Sequence, residues 1–252
     1  MKNKTSPLIE NLKTLRLPYS RSHCEEEALL AAKNSKSHLE YLTDLIAGEI
    51  ESRHQRTIAR RTQWARFPGK KNLESFNWDW PKSINRLHVR ELFRLQFIED
   101  KTNVIFLGTV GLGKTHLSVA LGHHACEKGY TVCFANTIEV INNLQAATVA
   151  GTLKNEMRKY IKTDLLILDE VGYLPIDQRG ADLLFQVVSS RYERGSIILT
   201  TNKPFKEWPK LFNNDSNLTS ALLDRLLHKA QTILIEGTSY RMKDRIEPLK
   251  ET

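Results

Sequence analysis

The segment Gly108-Thr109-Val110-Gly111-Leu112-Gly113-Lys114-Thr115 fits the pattern G-x4-G-K-T, and its surroundings restrict the fold more than any other stretch of the chain. It follows an apolar run, Asn103–Leu107, and opens a helix-like stretch from Thr115 to Gly129, which is the context the pattern requires. Its glycines allow successive backbone N–H groups to turn inward around a phosphate at a helix N-terminus, where the helix dipole also favours an anion. Lys114 is then placed to reach the β- and γ-phosphates, and the Thr115 hydroxyl to bind magnesium. A nucleoside triphosphate site is expected here.

Five short apolar runs, Asn103–Leu107, Thr131–Ala135, Asp164–Leu168, Ser196–Thr200 and Thr232–Ile235, read as strands separated by segments long enough for crossover helices. Such alternation predicts an α/β fold with a parallel sheet covered by helices on both faces. Leu165-Leu166-Ile167-Leu168 ends in Asp169 and Glu170, and ligands bind at the carboxyl ends of strands in open α/β sheets. Acids also follow strands for no functional reason. Paired with a phosphate loop, Asp169 is expected to hold magnesium through its water shell, and Glu170 to polarise the water that attacks the γ-phosphate. Ile197–Thr201 closes on Asn202, either a turn residue or a hydrogen-bonding partner of that water or phosphate. Further on stand Arg225, in Asp224-Arg225-Leu226, and Arg241, in Gly237-Thr238-Ser239-Tyr240-Arg241. The planar, permanently charged guanidinium suits the charge that develops on a γ-phosphate.

The first hundred residues read as helices. Ser22-His23-Cys24-Glu25 and Ser37-His38-Leu39-Glu40 both have capping-box form and are expected to open helices. After the second box, Leu39, Leu42, Ile46 and Ile50 form an apolar stripe that needs a partner, and the helix should run to about Arg66, before Phe67-Pro68-Gly69. Arg53 and Arg60 continue nearly the same face, with Arg56, Arg61, Trp64 and Arg66 beside them. The chain has 37 Lys and Arg against 29 Asp and Glu, net +8, and between Ser52 and Leu73 seven basic residues occur with no acidic one. This run is either a solvated basic helix or a surface for nucleic-acid phosphates; Arg53, Arg56, Arg60, Arg61, Arg66, Lys70 and Lys71 are the candidate DNA contacts. A helical region over 1–70 and a sheet domain over 71–252 are expected, with Ile84–Ile98 a helix leading into the sheet.

Other chemistries find no support. No apolar run approaches a membrane span and the start lacks a long apolar signal segment, so a cytoplasmic location is expected. Cys24, Cys126 and Cys133 lack CxxC spacing and read as buried reduced thiols. The eight histidines include no HExxH or metal-ligand cluster, and His123-His124 read as packing or surface residues.

The order of phosphate loop, LLILDE, LTTN, DRL and GTSYR resembles the AAA+ ATPases of the initiator and helicase-loader branch. More closely, GLGKTHLSVALGHHACEKGY, DLLILDEVGYLPID, LLFQVVSSRYERGSIILTTNKPFKEW, LTSALLDRLLHKA and GTSYRMK are similar to the IstB family of transposition helper proteins, relatives of the DnaC helicase loader. The resemblance covers about residues 100–245. It implies ATP and Mg2+ as cofactors and a Walker A at Gly108–Thr115, with Gly108, Gly111, Leu112, Gly113, Lys114, Thr115, His116 and Asp169 around the nucleotide. It further implies a Walker B at Asp169 and Glu170, a sensor 1 at Asn202, an arginine finger at Arg225 reaching a neighbouring subunit's nucleotide, and a sensor 2 at Arg241. Thr109-Val110 departs from the Pro-containing opening of many members. The mechanism implied is ATP-driven oligomerisation on duplex DNA with little sequence preference, DNA bending, recruitment of a DDE transposase, and disassembly on hydrolysis. A DnaC-like helicase loader shares every ATPase motif and is the alternative. A small-molecule kinase does not explain Glu170, Asn202 and the basic helices together.

Overall fold

The computed structural model describes residues 7–240, so Arg241 lies outside the described residues. The chain divides into two compact units between Arg60 and Arg61. The first contains α1 (Pro7–Thr14), α2 (Pro18–Lys33) and most of α3 (His38–Ala65). Its core is small: Leu12, Cys24 and Leu45 are buried, with Ile9, Leu17, Tyr19 and Tyr41 packed against them. Gly48 of α3 is the close-approach point, because a Cβ there would meet the Tyr19 ring at 2.2 Å.

Ser37 opens α3 as expected: its hydroxyl accepts from the Glu40 N–H at 3.3 Å, and the Glu40 carboxylate accepts from the Ser37 N–H at 2.7 Å. The Ser22 box does not form. Pro18 at the first helical position already starts α2, so Ser22 lies inside the helix and its hydroxyl donates to the carbonyls of Pro18 and Tyr19. The expected core stripe is also corrected, since Leu39, Leu42, Ile46 and Ile50 are all exposed and α3 turns Leu45 and Glu49 inward instead. The buried Glu49 carboxylate accepts from the N–H and hydroxyl of Ser20 and from Arg56.

The second unit begins with the last turn of α3, where Ala65 is fully buried and Arg66, at φ 59°, ends the helix. Then come α4 (Arg86–Leu92), α5 (Gln96–Glu99), β1 (Asn103–Gly108), α6 (Lys114–Glu127), β2 (Val132–Asn136), α7 (Thr137–Val149), α8 (Leu153–Ile161) and β3 (Leu165–Val171). They are followed by α9 (Gln178–Arg191), β4 (Ser196–Thr201), α10 (Trp208–Leu211), α11 (Ser216–Leu227) and β5 (Ala230–Ile235). The helix expected over 84–98 is broken into α4 and α5 by Leu95 in the left-handed region, with φ 61°.

The five strands lie in the order β2-β3-β4-β1-β5, and every pairing is parallel. Successive strand residues point to opposite faces. Ile105, Leu166, Leu168, Ile197 and Leu199 join Val140, Leu144, Leu184, Val187 and Leu222 of α7, α9 and α11. Val104, Phe106, Leu165, Ile167, Ile198 and Ile233 join Val89, Leu92, Leu117, Leu121 and Ala125 of α4 and α6. Burial on both faces explains the continuous aliphatic runs. Cys126 belongs to the second cluster, and desolvation pushes its thiol up to about 11, so it is a packing residue and no nucleophile at neutral pH. Among the described residues no helix is long and apolar enough to cross a membrane.

Candidate nucleotide site

All strands of the sheet run the same way, so β1, β3 and β4 bring their carboxyl ends to one edge, and the phosphate loop, Asp169 and Glu170 gather there. β1 ends at Gly108, the loop turns through Gly111 at φ 77° and Gly113 at φ 85°, and α6 starts at Lys114. Both glycines are required by more than dihedral angle. A Cβ at Gly111 would meet Ser239 Oγ at 2.1 Å, and one at Gly113 would meet the Phe76 ring at 2.5 Å. Lys114 is almost wholly buried and its Nζ donates to the carbonyls of Gly108 and Thr109, both at 2.7 Å, so the ammonium lies within the curve of the loop.

Thr115 Oγ1 donates to the Asp169 carboxylate at 2.9 Å from Oδ1 and 3.0 Å from Oδ2. Oδ1 also accepts from Thr200 Oγ1 at 2.6 Å, which joins the ends of β3 and β4 to the first turn of α6. The β3–β4 register shifts between Leu168 and Val171, and in that interruption Glu170 takes φ 61°. Its N–H donates to Thr200 Oγ1 at 2.9 Å and its Oε2 accepts from Asn136 Nδ2 at 2.9 Å. Bulges of this kind re-aim a side chain, and a non-glycine residue in the left-handed region costs about 1 kcal/mol or more, so the surroundings hold Glu170 in place. The carboxylate lines a cavity of about 630 Å3 with Gly111, Leu112, Gly113, Lys114, Thr115, His116 and Thr200. Cavities of roughly 300–1,000 Å3 are the range in which proteins enclose small ligands.

His116 is half-buried, and desolvation holds its imidazole below the usual histidine range. Its Nε2 donates to the Asn72 carbonyl at 2.9 Å. Asn202 follows β4, and among the described residues its Oδ1 is buried without a hydrogen-bond partner, as are Ser189 Oγ and Arg191 Nε. Asn202 is not among the residues lining the cavity. The chain around Gly237–Tyr240 lies against the phosphate loop, with the Tyr240 N–H donating to the Gly111 carbonyl at 2.9 Å.

Arg225 is not brought to this edge. It lines a small recess with Asn103 and Ile197, at the opposite ends of β1 and β4, roughly 15–20 Å away by strand rise. Its guanidinium stacks over Phe185 at 4.7 Å and donates to the Ala221 carbonyl. Of the cationic residues, Arg53, Arg56 and Arg60 lie in the helical unit and Arg61, Arg66, Lys70 and Lys71 in the α/β unit. Arg56 is tied to Glu49 at 3.1 Å, and Arg53 donates to the Arg16 carbonyl at 3.3 Å. Lys70 and Lys71 line the cavity itself.

Two participants were not picked out from sequence. Thr200 and Asn136 each end or nearly end a strand flanking β3, and strand-end position is the one signal that could have found them.

The model of the IstB-like ATP-binding protein family matches residues 10–248. The chain belongs to that family. Among relatives of this IstB-like protein, the ATP-binding protein of insertion sequence IS232 from Bacillus thuringiensis subsp. berliner is 38% identical over 244 residues, 97% of each chain. The IS21 ATP-binding protein of Pseudomonas aeruginosa is 41% identical over 238 residues, 94% of this chain and 88% of that one. In structure, the IstB-like chain is similar to the DnaC helicase loader, with TM-score 0.54, 21% identity and coverage of 66% of this chain and 96% of that one. AMPPCP-bound DnaA from Aquifex aeolicus gives TM-score 0.56 at 24% identity, covering 73% and 58%. The fold is therefore that of an AAA+ P-loop ATPase, and the IstB-like protein is an ATP-binding ATPase.

Proposed function

We propose that this IstB-like protein is a transposition helper whose ATP site controls its assembly on duplex DNA. ATP is bound by the loop from Gly108 to Thr115, with Lys114 on the β- and γ-phosphates. The donors also fit Mg2+, a hard cation that takes oxygen ligands, because the Thr115 hydroxyl and the Asp169 carboxylate are already in contact. When bound, the ion supplies charge neutralisation at the phosphate oxygens. Glu170 accepts the proton of the attacking water, Asn136 and Thr200 fix its position, and Asn202 is the sensor 1 residue. Arg225, remote from the phosphate loop of its own chain, acts on the nucleotide of a neighbouring copy. Arg241 is the sensor 2 arginine.

ATP-bound copies oligomerise on DNA through phosphate contacts from Arg53, Arg56, Arg60, Arg61 and Arg66, bend it, and recruit a DDE transposase; hydrolysis takes the assembly apart. Phosphate contacts carry no sequence information, so binding is largely sequence-independent. The observation that carries this reading is the Thr115–Asp169–Thr200–Glu170 network in a chain whose relatives named for insertion sequences match it almost end to end. Those end-to-end matches favour the helper over a helicase loader, for which the likeness covers two thirds of the chain and concerns the fold. The test is sedimentation with a random-sequence 60-base-pair duplex in ATP, in ADP and without nucleotide, at two salt concentrations. The expected result is a large complex that requires ATP and weakens steeply with salt. A protein that stays off the duplex in every condition contradicts the reading.

A further inference from the structure

Two lysines counted with the basic run sit elsewhere. Lys70 and Lys71 line the cavity that also holds Gly111–His116, Glu170 and Thr200. Their position is fixed from both sides by α6, the helix whose N-terminus closes the phosphate loop. On one side, the Gly69 carbonyl accepts from His123 Nε2 at 3.2 Å, and Phe67 packs against the His123 ring, tilted by 34°, at 4.2 Å between centroids. On the other, the Asn72 carbonyl accepts from His116 Nε2 at 2.9 Å, and Phe76 packs over Gly113 and against His116.

The lengths agree. His116 and His123 are seven residues apart on a helix, about 10.5 Å at 1.5 Å per residue, and Gly69 to Asn72 is three residues of chain, roughly 10–11 Å when extended. The segment therefore runs alongside the two turns of α6 between His116 and His123, with its two lysines between the anchors. Both side chains are exposed, and among the described residues neither takes part in an ion pair or hydrogen bond. Each is a cation on the wall of a cavity that also holds Lys114 and the N-terminus of α6. Among the described residues that line it, the one acidic side chain is Glu170, which Asn136 holds. The ligand such a wall favours is a polyanion.

We infer that Lys70 and Lys71 belong to the nucleotide site, where they bind the polyphosphate of ATP, and that the segment 67–76 is the strap that carries them to it. This rests on the ATP-site reading above and deepens it: two of the seven basic residues in the run serve the nucleotide, not DNA. The histidines are the strap's positioning residues, with His123 outside the cavity and acting only through the Gly69 carbonyl and the Phe67 ring.

The experiment measures ATP affinity of the full-length protein by calorimetry in the absence of DNA, for the native chain and for K70Q/K71Q. The thermal midpoint of the nucleotide-free proteins is the folding control, and H123A is a second variant. The double variant is expected to weaken ATP binding by about tenfold or more at an unchanged midpoint. H123A, which keeps both lysines, is expected to give a smaller loss. Equal ATP affinity for the native chain and K70Q/K71Q, with weaker duplex binding at saturating ATP, would return the lysines to the DNA surface and overturn the inference alone. No ATP binding by the native chain would overturn the ATP-site reading with it.

Discussion

The helical unit and the α/β unit use the same residue types in opposite ways. In the α/β unit, aliphatic residues of β1, β3 and β4 are buried on both faces, and three charged groups, Lys114, Asp169 and Arg191, lie inside with 6%, 5% and 1% exposure. Arg191 has no carboxylate partner among its bonds. Its two terminal nitrogens donate to the carbonyls of Tyr160, Ile161, Thr163, Asp164 and Ser196, which tie the end of α8 to the starts of β3 and β4. Desolvation lowers its pKa to about 10, still well above neutrality. The helical unit buries one charged group too, Glu49, but leaves apolar side chains of α3 in solvent. Leu39 and Ile50 are 77% and 65% exposed, and the arginines toward the end of α3 face solvent. Strands buried on both faces leave a segment no choice of environment, whereas one apolar stripe on a helix does not say what covers it.

That contrast can be broken by mutation, beginning with the largest effect. Arg191→Met should destabilise the α/β unit by at least about 3 kcal/mol, because buried carbonyls left without donors cost about 1–3 kcal/mol each. A thermal midpoint near that of the native chain would show that the guanidinium is dispensable. Lys114→Ala, at the phosphate loop, should weaken ATP binding by about 100-fold, the scale for truncating a buried, hydrogen-bonded charge, without unfolding the sheet. Calorimetry with ATP checks it.

The helical unit should respond differently. Replacing Arg53 and Arg60 together by Ala should leave the thermal midpoint in place and reduce the salt slope of duplex binding by about 2, near 0.9 per lost phosphate contact. An unchanged slope would remove these two from the DNA surface. Smallest of all, Leu39→Gln with Ile50→Gln should alter monomer stability by less than about 0.5 kcal/mol, as exposed positions do. A loss of several kcal/mol in urea unfolding would mean that the stripe is buried after all.

What could be read before the structure follows the same division. Both the phosphate loop and LLILDE are contiguous, and each carries its own flanking strand, so the fold and the core of the site were legible. Thr200 and Asn136 were not, because their roles arise only when the order β2-β3-β4 sets their strand ends beside Asp169 and Glu170. Arg191 was invisible for another reason: an arginine in a polar-looking stretch defaults to solvent, and only the packing of α8 against two strand starts turns it inward. In the helical region, Ser37 was read correctly and Ser22 was not, since the same four-residue pattern lies inside a helix that Pro18 had already begun. Lys70 and Lys71 followed their charge into the basic run, whereas the strap's length and its two histidine anchors carry them to the cavity.

The central claim is that Glu170 ends an ATP-dependent assembly on DNA. Its most direct test is the lifetime of complexes on a 60-base-pair duplex after ATP is chased with ADP, for the native chain and Glu170→Gln. Loss of a general base lowers hydrolysis by about 100-fold or more. The variant's complexes should therefore form with ATP as the native ones do and persist many times longer after the chase. Equal lifetimes, or normal hydrolysis by the variant, would contradict the account.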